Sequence, residues 1–120
     1  MEKSIVKRWV KALRSGKYKQ AESTLRDLSN RMCCLGVLCD VTKKETGGDW
    51  LTRGRFGKSR CIADGSLLPP FVQKILNISS EGKLKEHHIG GYGSKHYTLS
   101  GLNDSGLSFK QIANIIEKNF

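Results

Sequence analysis

Two short stretches combine glycine with basic residues, a combination that can bind phosphate groups. The first, GRFGKS at residues 54–59, ends like a phosphate-binding loop, but the full pattern requires glycine where the sequence has Thr52. A nucleoside-triphosphatase loop is therefore excluded. Arginines and lysines on a glycine-containing segment can still clamp phosphate, and a nearby tryptophan can stack on a base. An exposed, solvated loop explains the pattern equally well. The candidates are Trp50, Arg53, Arg55 and Lys58.

The second stretch is GGYGSK at residues 90–95. Its glycines can point successive backbone amides at an anion, while Tyr92 offers a stacking face and Lys95 a positive charge. A flexible hairpin tip has the same composition and is the simpler explanation. Further along, Asp104 can accept a hydrogen bond from a ribose hydroxyl or a base edge, or it can belong to a turn ahead of the last helix.

Four cysteines and three histidines are the residues that could bind a metal. Zinc sites favour closely paired cysteines, whereas this chain has Cys33 beside Cys34, then Cys39 and a distant Cys61, without a C-x-x-C pair. The spacing of the histidines is not diagnostic either. We therefore expect buried free cysteines, no metal and no cofactor.

A cysteine nucleophile is also conceivable, with Cys33 or Cys39 attacking and His96 acting as the base. Such a thiolate needs an electropositive and partly open setting, and no local nucleophile signature supports one. The sequence thus favours a binding protein over an enzyme.

The charge of the chain indicates the class of partner. The formal net charge is +10, of which residues 1–60 carry +9 and residues 61–120 carry +1. Such a field concentrates anions, so a nucleotide, a nucleic acid or an acidic protein surface is the expected partner, although solubility alone is an alternative. The sequence contains neither a secretory signal nor an apolar run near the roughly 18 residues of a membrane span. We expect a location in the cytosol and no membrane partner.

The hydrophobic pattern predicts the elements that must position these residues. Apolar residues at a helical spacing predict an amphipathic helix over residues 2–15, a short helix over 21–28, and a buried helix from about residue 32 to the glycines at 47–48. Gly36 inside the buried helix suggests a close backbone approach.

Short strands are predicted at residues 50–51, 61–63 and 97–99. A helix should follow Pro69 and Pro70 with Phe71, Val72, Ile75 and Leu76 packed inward, and Ser108 with Gln111 has capping-box spacing for a last helix. Residues 1–120 should form a single α+β domain that is mostly helical and has a small antiparallel sheet.

The order of several motifs resembles a known family. The runs WVKALRSGKYKQ at residues 9–20 and CCLGVLCD at residues 33–40 are followed by LPP at 68–70 and LNDSG at 102–106. This combination resembles a family of small, largely uncharacterised phage and prophage accessory proteins. The resemblance implies a phage context and supplies no catalytic residues.

Many such accessory proteins counter host defence by stoichiometric binding, which leads to the main hypothesis. We expect a phage anti-defence protein that sequesters an anionic, nucleotide-like ligand without catalysis, through Trp50, Arg53, Arg55, Lys58, Tyr92, Lys95 and Asp104. One alternative is a nucleic-acid-binding module that uses Lys3, Lys7, Lys11 and Arg14 of the first helix. The other is an inhibitor that docks on a host defence protein. A homodimer with a shared site is a further expectation.

Overall fold

The first and last helices of the chain pack against each other, and the first also packs on the buried second helix. The structure is a computed structural model that describes residues 1–58, 61–62, 65–84 and 98–120, with the side chains of Arg53, Cys61 and Ile62 outside the description. Within these ranges the helices are α1 (Lys3–Arg14), α2 (Cys34–Val41), α3 (Lys43–Thr46), α4 (Pro70–Leu76), α5 (Leu99–Asp104) and α6 (Phe109–Asn119). The strands are β1 (Asp49–Trp50), β2 (Phe56–Lys58) and β3 (Cys61–Ile62). The predicted α+β class, mostly helical with a small antiparallel sheet, is confirmed.

Helix α1 has the amphipathic character that the sequence predicts. Its buried face consists of Ile5, Val6, Trp9, Val10 and Leu13, and it packs on α6 and α2. The indole nitrogen of the fully buried Trp9 donates a hydrogen bond of 2.9 Å to the backbone carbonyl of Cys34. This bond satisfies the polar atom of the largest buried side chain and fixes α1 to the start of α2.

Helix α2 is buried along most of its length because nearly all its side chains are apolar. The predicted close approach at Gly36 is confirmed, since a Cβ atom built there would lie 1.9 Å from the carbonyl oxygen of Leu25. Glycine is therefore the residue that lets the segment before α2 lie directly on the helix.

The sheet has the order β1-β2-β3, and both pairs of strands are antiparallel. Trp50 pairs with Phe56, and Gly57 pairs with Ile62. The predicted strands at 50–51 and 61–63 lie within one residue of β1 and β3 as far as the chain is described. The alternative that residues 54–59 form an exposed loop was wrong for β2. Phe56 is fully buried and anchors this strand, although its neighbours are polar or glycine.

The predicted helix over residues 21–28 does not form. This segment instead bridges to Met32 through Gln20 and Arg26, and Ser23 has a φ of 59°, which a right-handed helix does not allow. Leu28, which the helical pattern treated as apolar packing surface, is 96% exposed. The carboxylate of Asp104 binds the backbone amide and the hydroxyl of Ser23 and so replaces helical hydrogen bonds.

The later elements follow the sequence with two exceptions. The capping box of Ser108 and Gln111 is present, and α4 begins at Pro70 as predicted. However, Ile75 is 46% exposed and does not pack inward. Of the predicted strand at 97–99, residue 97 lies outside the described residues and Thr98 forms a single antiparallel bridge with Lys83. Leu99 instead begins α5, because the Thr98 hydroxyl accepts a hydrogen bond of 3.1 Å from the Gly101 amide and caps the helix.

The buried amide of Asn103 joins three segments of the chain. Its oxygen accepts hydrogen bonds from the backbone amide of Cys34 at 3.1 Å and from the side chain of Gln20 at 3.0 Å. Its nitrogen donates a bond of 2.8 Å to the carbonyl of Ala21. The side chain of Cys33, which precedes α2, does not cap that helix, so Asn103 provides the cap from a distant part of the chain.

Replacing Gly36 with alanine tests the close approach to Leu25. Helix propensity alone predicts a gain of about 1 kcal/mol, whereas the steric conflict with a backbone carbonyl predicts a net loss of about 1–3 kcal/mol in the free energy of unfolding. Urea denaturation measures whether the free energy of unfolding rises or falls. Lys110→Ala is the control, since it places alanine at an exposed position of α6 and should change stability by less than about 0.5 kcal/mol. A Gly36→Ala protein as stable as the wild type would refute the packing described.

Replacing Asn103 with leucine tests the buried amide. The variant leaves the buried Cys34 amide and the Ala21 carbonyl without this partner, whereas the half-buried Gln20 side chain keeps its hydrogen bond to the Leu107 carbonyl. Each unpaired buried group costs about 1–3 kcal/mol, so the free energy of unfolding should fall by at least about 2 kcal/mol. The matched control is Asn114→Leu, which changes an exposed residue of α6 and should shift stability by less than about 1 kcal/mol. Equal urea midpoints of unfolding for the two variants would show that the hydrogen bonds of Asn103 are not essential for stability.

Candidate functional site

A cavity beside Trp50 brings basic and aromatic side chains together. We call it the Trp50 cavity; its volume is about 430 Å³, and it is lined by Lys17, Tyr18, Arg26, Asn30, Met32, Asp40, Lys43, Asp49 and Trp50. Two of these residues follow α1 and three lie in the segment before α2. The others belong to the end of α2, to α3 and to β1. Only the tertiary fold makes them neighbours.

The ring of Trp50 is held from behind by the core. Its ring centroid lies 5.0 Å from that of the fully buried Phe56 in an edge-to-face arrangement, and Phe56 in turn stacks on Phe71 at 6.0 Å. Antiparallel pairing places Trp50 directly opposite Phe56. The orientation of Trp50 is thus set by the sheet and by aromatic packing before any ligand is present.

The carboxylate of Asp40 orients both aromatic residues of the cavity. It accepts a hydrogen bond of 2.9 Å from the indole nitrogen of Trp50 and another from the hydroxyl of Tyr18. Burial alone would raise the pKa of Asp40, but these two bonds and the nearby Lys43 ammonium outweigh it, so the pKa lies below its ordinary value. Asp40 is therefore a charged structural group whose oxygens are already engaged.

The cations of the cavity differ in how far they are engaged. Lys43 lies 3.5 Å from Asp40 and 3.4 Å from Asp49, so its charge is largely balanced. The guanidinium of Arg26 lies over the Trp50 ring at 5.5 Å from its centroid, and its Nε donates a bond of 2.8 Å to Asn30. Lys17 and the outer nitrogens of Arg26 have no ion pair recorded with the described residues, and they are the groups suited to bind an anion.

Comparison with known families identifies the chain. The sequence model of a domain of unknown function, DUF8296, matches residues 1–120. The chain belongs to the DUF8296 family. No curated protein and no solved structure gives a significant match.

The structure places the predicted site residues in several locations. Trp50 lines the cavity, whereas Arg55 and Lys58 are exposed and do not line it. Lys58 extends along β2, and its side chain lies against Gly47. Tyr92, Lys95 and the side chain of Arg53 lie outside the described residues, so their predicted roles stay predictions.

Asp104 lies in a different part of the DUF8296 fold. It binds the Ser23 amide at 2.8 Å and the Ser23 hydroxyl at 3.2 Å. It also borders a separate cavity of about 270 Å³ that includes Cys33, Glu81 and Ser100. The contacts of Asp104 thus hold the segment before α2 in place, and the structure does not bring this carboxylate into the Trp50 cavity.

Sequence reasoning did not single out Lys17, Tyr18, Arg26 and Asp40 as site residues. Tyr18 and Asp40 each lie in one of the two motifs that carry the family resemblance, at residues 9–20 and 33–40. Polar residues inside those two motifs were the available signal. Arg26 had no such signal, because its position over Trp50 depends on a segment that was predicted to be helical.

Three cysteines are free and buried, as the sequence predicts, while the side chain of Cys61 lies outside the description. Burial raises the pKa of Cys33 to about 11 and the pKa values of Cys34 and Cys39 well above 9.0. Among the described residues, no three His, Cys, Asp or Glu side chains converge as a metal site would require. These three thiols are therefore protonated at neutral pH and suited to packing.

The basic face of α1 forms a second feature, which we call the α1–α6 groove. This cavity of about 620 Å³ is lined by Lys3, Val6, Lys7, Val10, Lys11, Arg14, Ser15, Glu117 and Phe120. All four cations that the nucleic-acid alternative assigns to the first helix line this groove. Within the ranges that the structure covers, every helix is too short or too polar to reach across a lipid bilayer.

The ionisation of Tyr18 tests the Asp40 network. Burial, the hydrogen bond to Asp40 and the charge of that carboxylate raise the pKa of Tyr18 to about 12 from 10.0. The neutral hydroxyl therefore stabilises the fold fully below pH 10, and this contribution disappears as the pH rises towards about 12. A tyrosinate absorbance titration should show one late step that Tyr18→Phe removes and Asp40→Asn moves towards pH 10. Ionisation of Tyr18 near pH 10 in protein that circular dichroism shows to be folded would contradict the network.

Proposed function

We propose that this DUF8296 chain binds an anionic, nucleotide-like ligand in the Trp50 cavity and holds it without chemical conversion. The observation that carries the proposal is that Lys17 and Arg26 line the same cavity as the aromatic side chains of Tyr18 and Trp50. A nucleotide needs cations for its phosphates and a flat apolar surface for its base, and these residues offer both.

The volume and the charge of the cavity agree with a ligand of this size. About 430 Å³ falls within the usual range of roughly 300–1,000 Å³ for small-molecule sites. Asp40 and Asp49 offset part of the positive charge of Lys17, Arg26 and Lys43, which leaves an excess of one cation. The net charge of +10 adds a long-range attraction for anions.

The free groups indicate how the ligand is oriented. Phosphate oxygens are expected near Lys17 and the outer nitrogens of Arg26, since Lys43 is already paired with both carboxylates. The base is expected beside Trp50 and Tyr18. Because Asp104 lies elsewhere, Asp49 is the acceptor available to a ribose hydroxyl, and its side chain is 74% exposed.

The biological context of the proposal comes from the resemblance to phage accessory proteins. A protein that captures a nucleotide signal stoichiometrically in the host cytosol would serve as an anti-defence factor and would need no catalytic group. The protonated, buried state of Cys33, Cys34 and Cys39 supports binding without catalysis. A stoichiometry of one ligand for two chains would support the expected homodimer.

Titration of Trp50 fluorescence tests the proposed site. The chain has two tryptophans, and since Trp9 is fully buried, a change in emission on titration reports on Trp50. The probes are ATP, adenosine and inorganic triphosphate, which separate recognition of the base from that of the phosphates. We expect ATP to bind most tightly. Lys17→Glu and Arg26→Lys should each weaken it about tenfold, which is the loss of one charge-assisted contact.

The matched controls are Lys58→Glu and Arg55→Lys, which make the same changes outside the cavity. They should leave ATP affinity within about twofold. If these two variants weaken binding while the cavity variants do not, the ligand is bound by the 53–58 segment that the sequence predicted. Native mass spectrometry of the protein purified from cells complements the titration. A chain that carries no anion and binds neither phosphorylated probe would refute the proposal.

A further inference from the structure

The α1–α6 groove plays no part in the proposed ligand site and shares no residue with the Trp50 cavity. It runs along α1, whose twelve residues span about 18 Å. A neighbouring cavity of about 350 Å³ shares Lys3 and Phe120 with it and adds Lys83. The basic rim therefore continues past the end of α1, and the length of the groove suits an extended partner better than a small molecule.

The floor of the groove is apolar and preorganised. It is formed by the half-buried Phe120 and by the small accessible parts of Val6 and Val10, which are 6% and 5% exposed. The ring of Phe120 lies 6.1 Å from that of the fully buried Trp9, which supports it from the core. The methylene stems of the lysines that line the groove add further apolar surface. A partner that covers this floor must itself contribute apolar side chains.

The rim of the groove is strongly basic, but its cations differ in availability. Four basic residues line it against one acidic residue, Glu117. Lys3 donates to the Phe120 carbonyl at 3.1 Å, and Arg14 binds Asn114 at 2.6 Å and pairs with Glu117. Lys7 and Lys11 are exposed and have no hydrogen bond or ion pair recorded with the described residues. They are four positions apart on α1, so two carboxylates about 6 Å apart can pair with them.

We infer that the α1–α6 groove is a docking surface for an acidic amphipathic helix of a partner protein. Such a helix places apolar residues at positions i, i+3, i+4 and i+7 on the floor and aspartate or glutamate beside Lys7 and Lys11. About three turns match the length of α1. Charge complementarity selects an acidic partner, and the apolar floor selects a helix with one hydrophobic face.

A nucleic acid fits the same groove less well. If only Lys7 and Lys11 neutralise phosphates of duplex DNA, the logarithm of the binding constant falls with the logarithm of the salt concentration with a slope of about −1.8. Two such contacts give only weak binding. A phosphate backbone also leaves the apolar floor uncovered. The experiment must therefore distinguish binding of a peptide helix from binding of a nucleic acid to the basic face of α1.

Fluorescence anisotropy with a labelled synthetic peptide tests the inference. The probe is a 14-residue helical peptide with leucine at i, i+3, i+4 and i+7 and glutamate on both flanks. We expect the full chain to bind it, and Lys7→Glu combined with Lys11→Glu to weaken binding at least tenfold. The matched control is Lys44→Glu combined with Lys74→Glu, two exposed lysines outside the groove, which alters the net charge equally and should change affinity less than twofold.

Two further probes make the result specific. A peptide with its glutamates replaced by lysines should bind the Lys7→Glu, Lys11→Glu variant more tightly than the wild type. A peptide with its leucines replaced by serines should bind the wild type at least tenfold more weakly. The inference is overturned if the serine peptide binds equally well, if the control variant loses as much affinity as the groove variant, or if the leucine peptide shows no binding up to about 1 mM.

Tighter binding of a 16-base-pair DNA duplex than of the peptide, with a salt slope steeper than about −2, would also overturn the inference and favour the nucleic-acid reading. The result is independent of the nucleotide proposal, because Lys7 and Lys11 do not line the Trp50 cavity.

Discussion

The fully buried amide of Asn103 is the interaction on which the rest of the structure depends. Its oxygen binds the first amide of α2, which has no other side-chain cap, and its nitrogen binds the chain just before that helix. A buried amide is stable only when its polar atoms are paired, so the three segments that meet here must adopt one arrangement. The apolar packing around α2 supplies much of the driving force, and Asn103 determines how α2, α5 and the 20–32 segment are joined.

The position of the 20–32 segment follows from that arrangement and leads directly to the Trp50 cavity. Asp104, next to Asn103, holds Ser23 in a left-handed conformation. The chain then passes so close to its neighbours that a Cβ at Gly36 or Gly54 would overlap the carbonyl oxygen of Leu25 or Arg26, respectively. These contacts place the Arg26 guanidinium over Trp50. The cavity is therefore a consequence of core packing at some distance from it.

Part of the positive charge of the described residues lies on two surfaces of different character. In the Trp50 cavity the cations are interspersed with carboxylates and aromatic rings, an arrangement that suits a small ligand with both phosphate and base. In the α1–α6 groove they border an apolar floor, an arrangement that suits an amphipathic chain. Helix α1, which lines the groove, leads directly into the segment that carries Lys17 and Tyr18, so the two proposed surfaces are close in sequence.

The sequence by itself determined the amphipathic α1, the buried α2, the cap of α6 and the basic character of the surface, because each depends on the spacing of nearby residues or on composition. It also indicated Trp50, which lines the proposed site. Only the tertiary structure decided that β2 forms around Phe56, that residues 21–28 are not helical, and that Tyr18, Arg26 and Asp40 meet beside Trp50. These outcomes rest on hydrogen bonds and backbone approaches between residues far apart in the chain, such as Ser23 with Asp104 and Cys34 with Asn103. Local periodicity carries no information about such pairs, because the free energy that selects them appears only when the core is assembled.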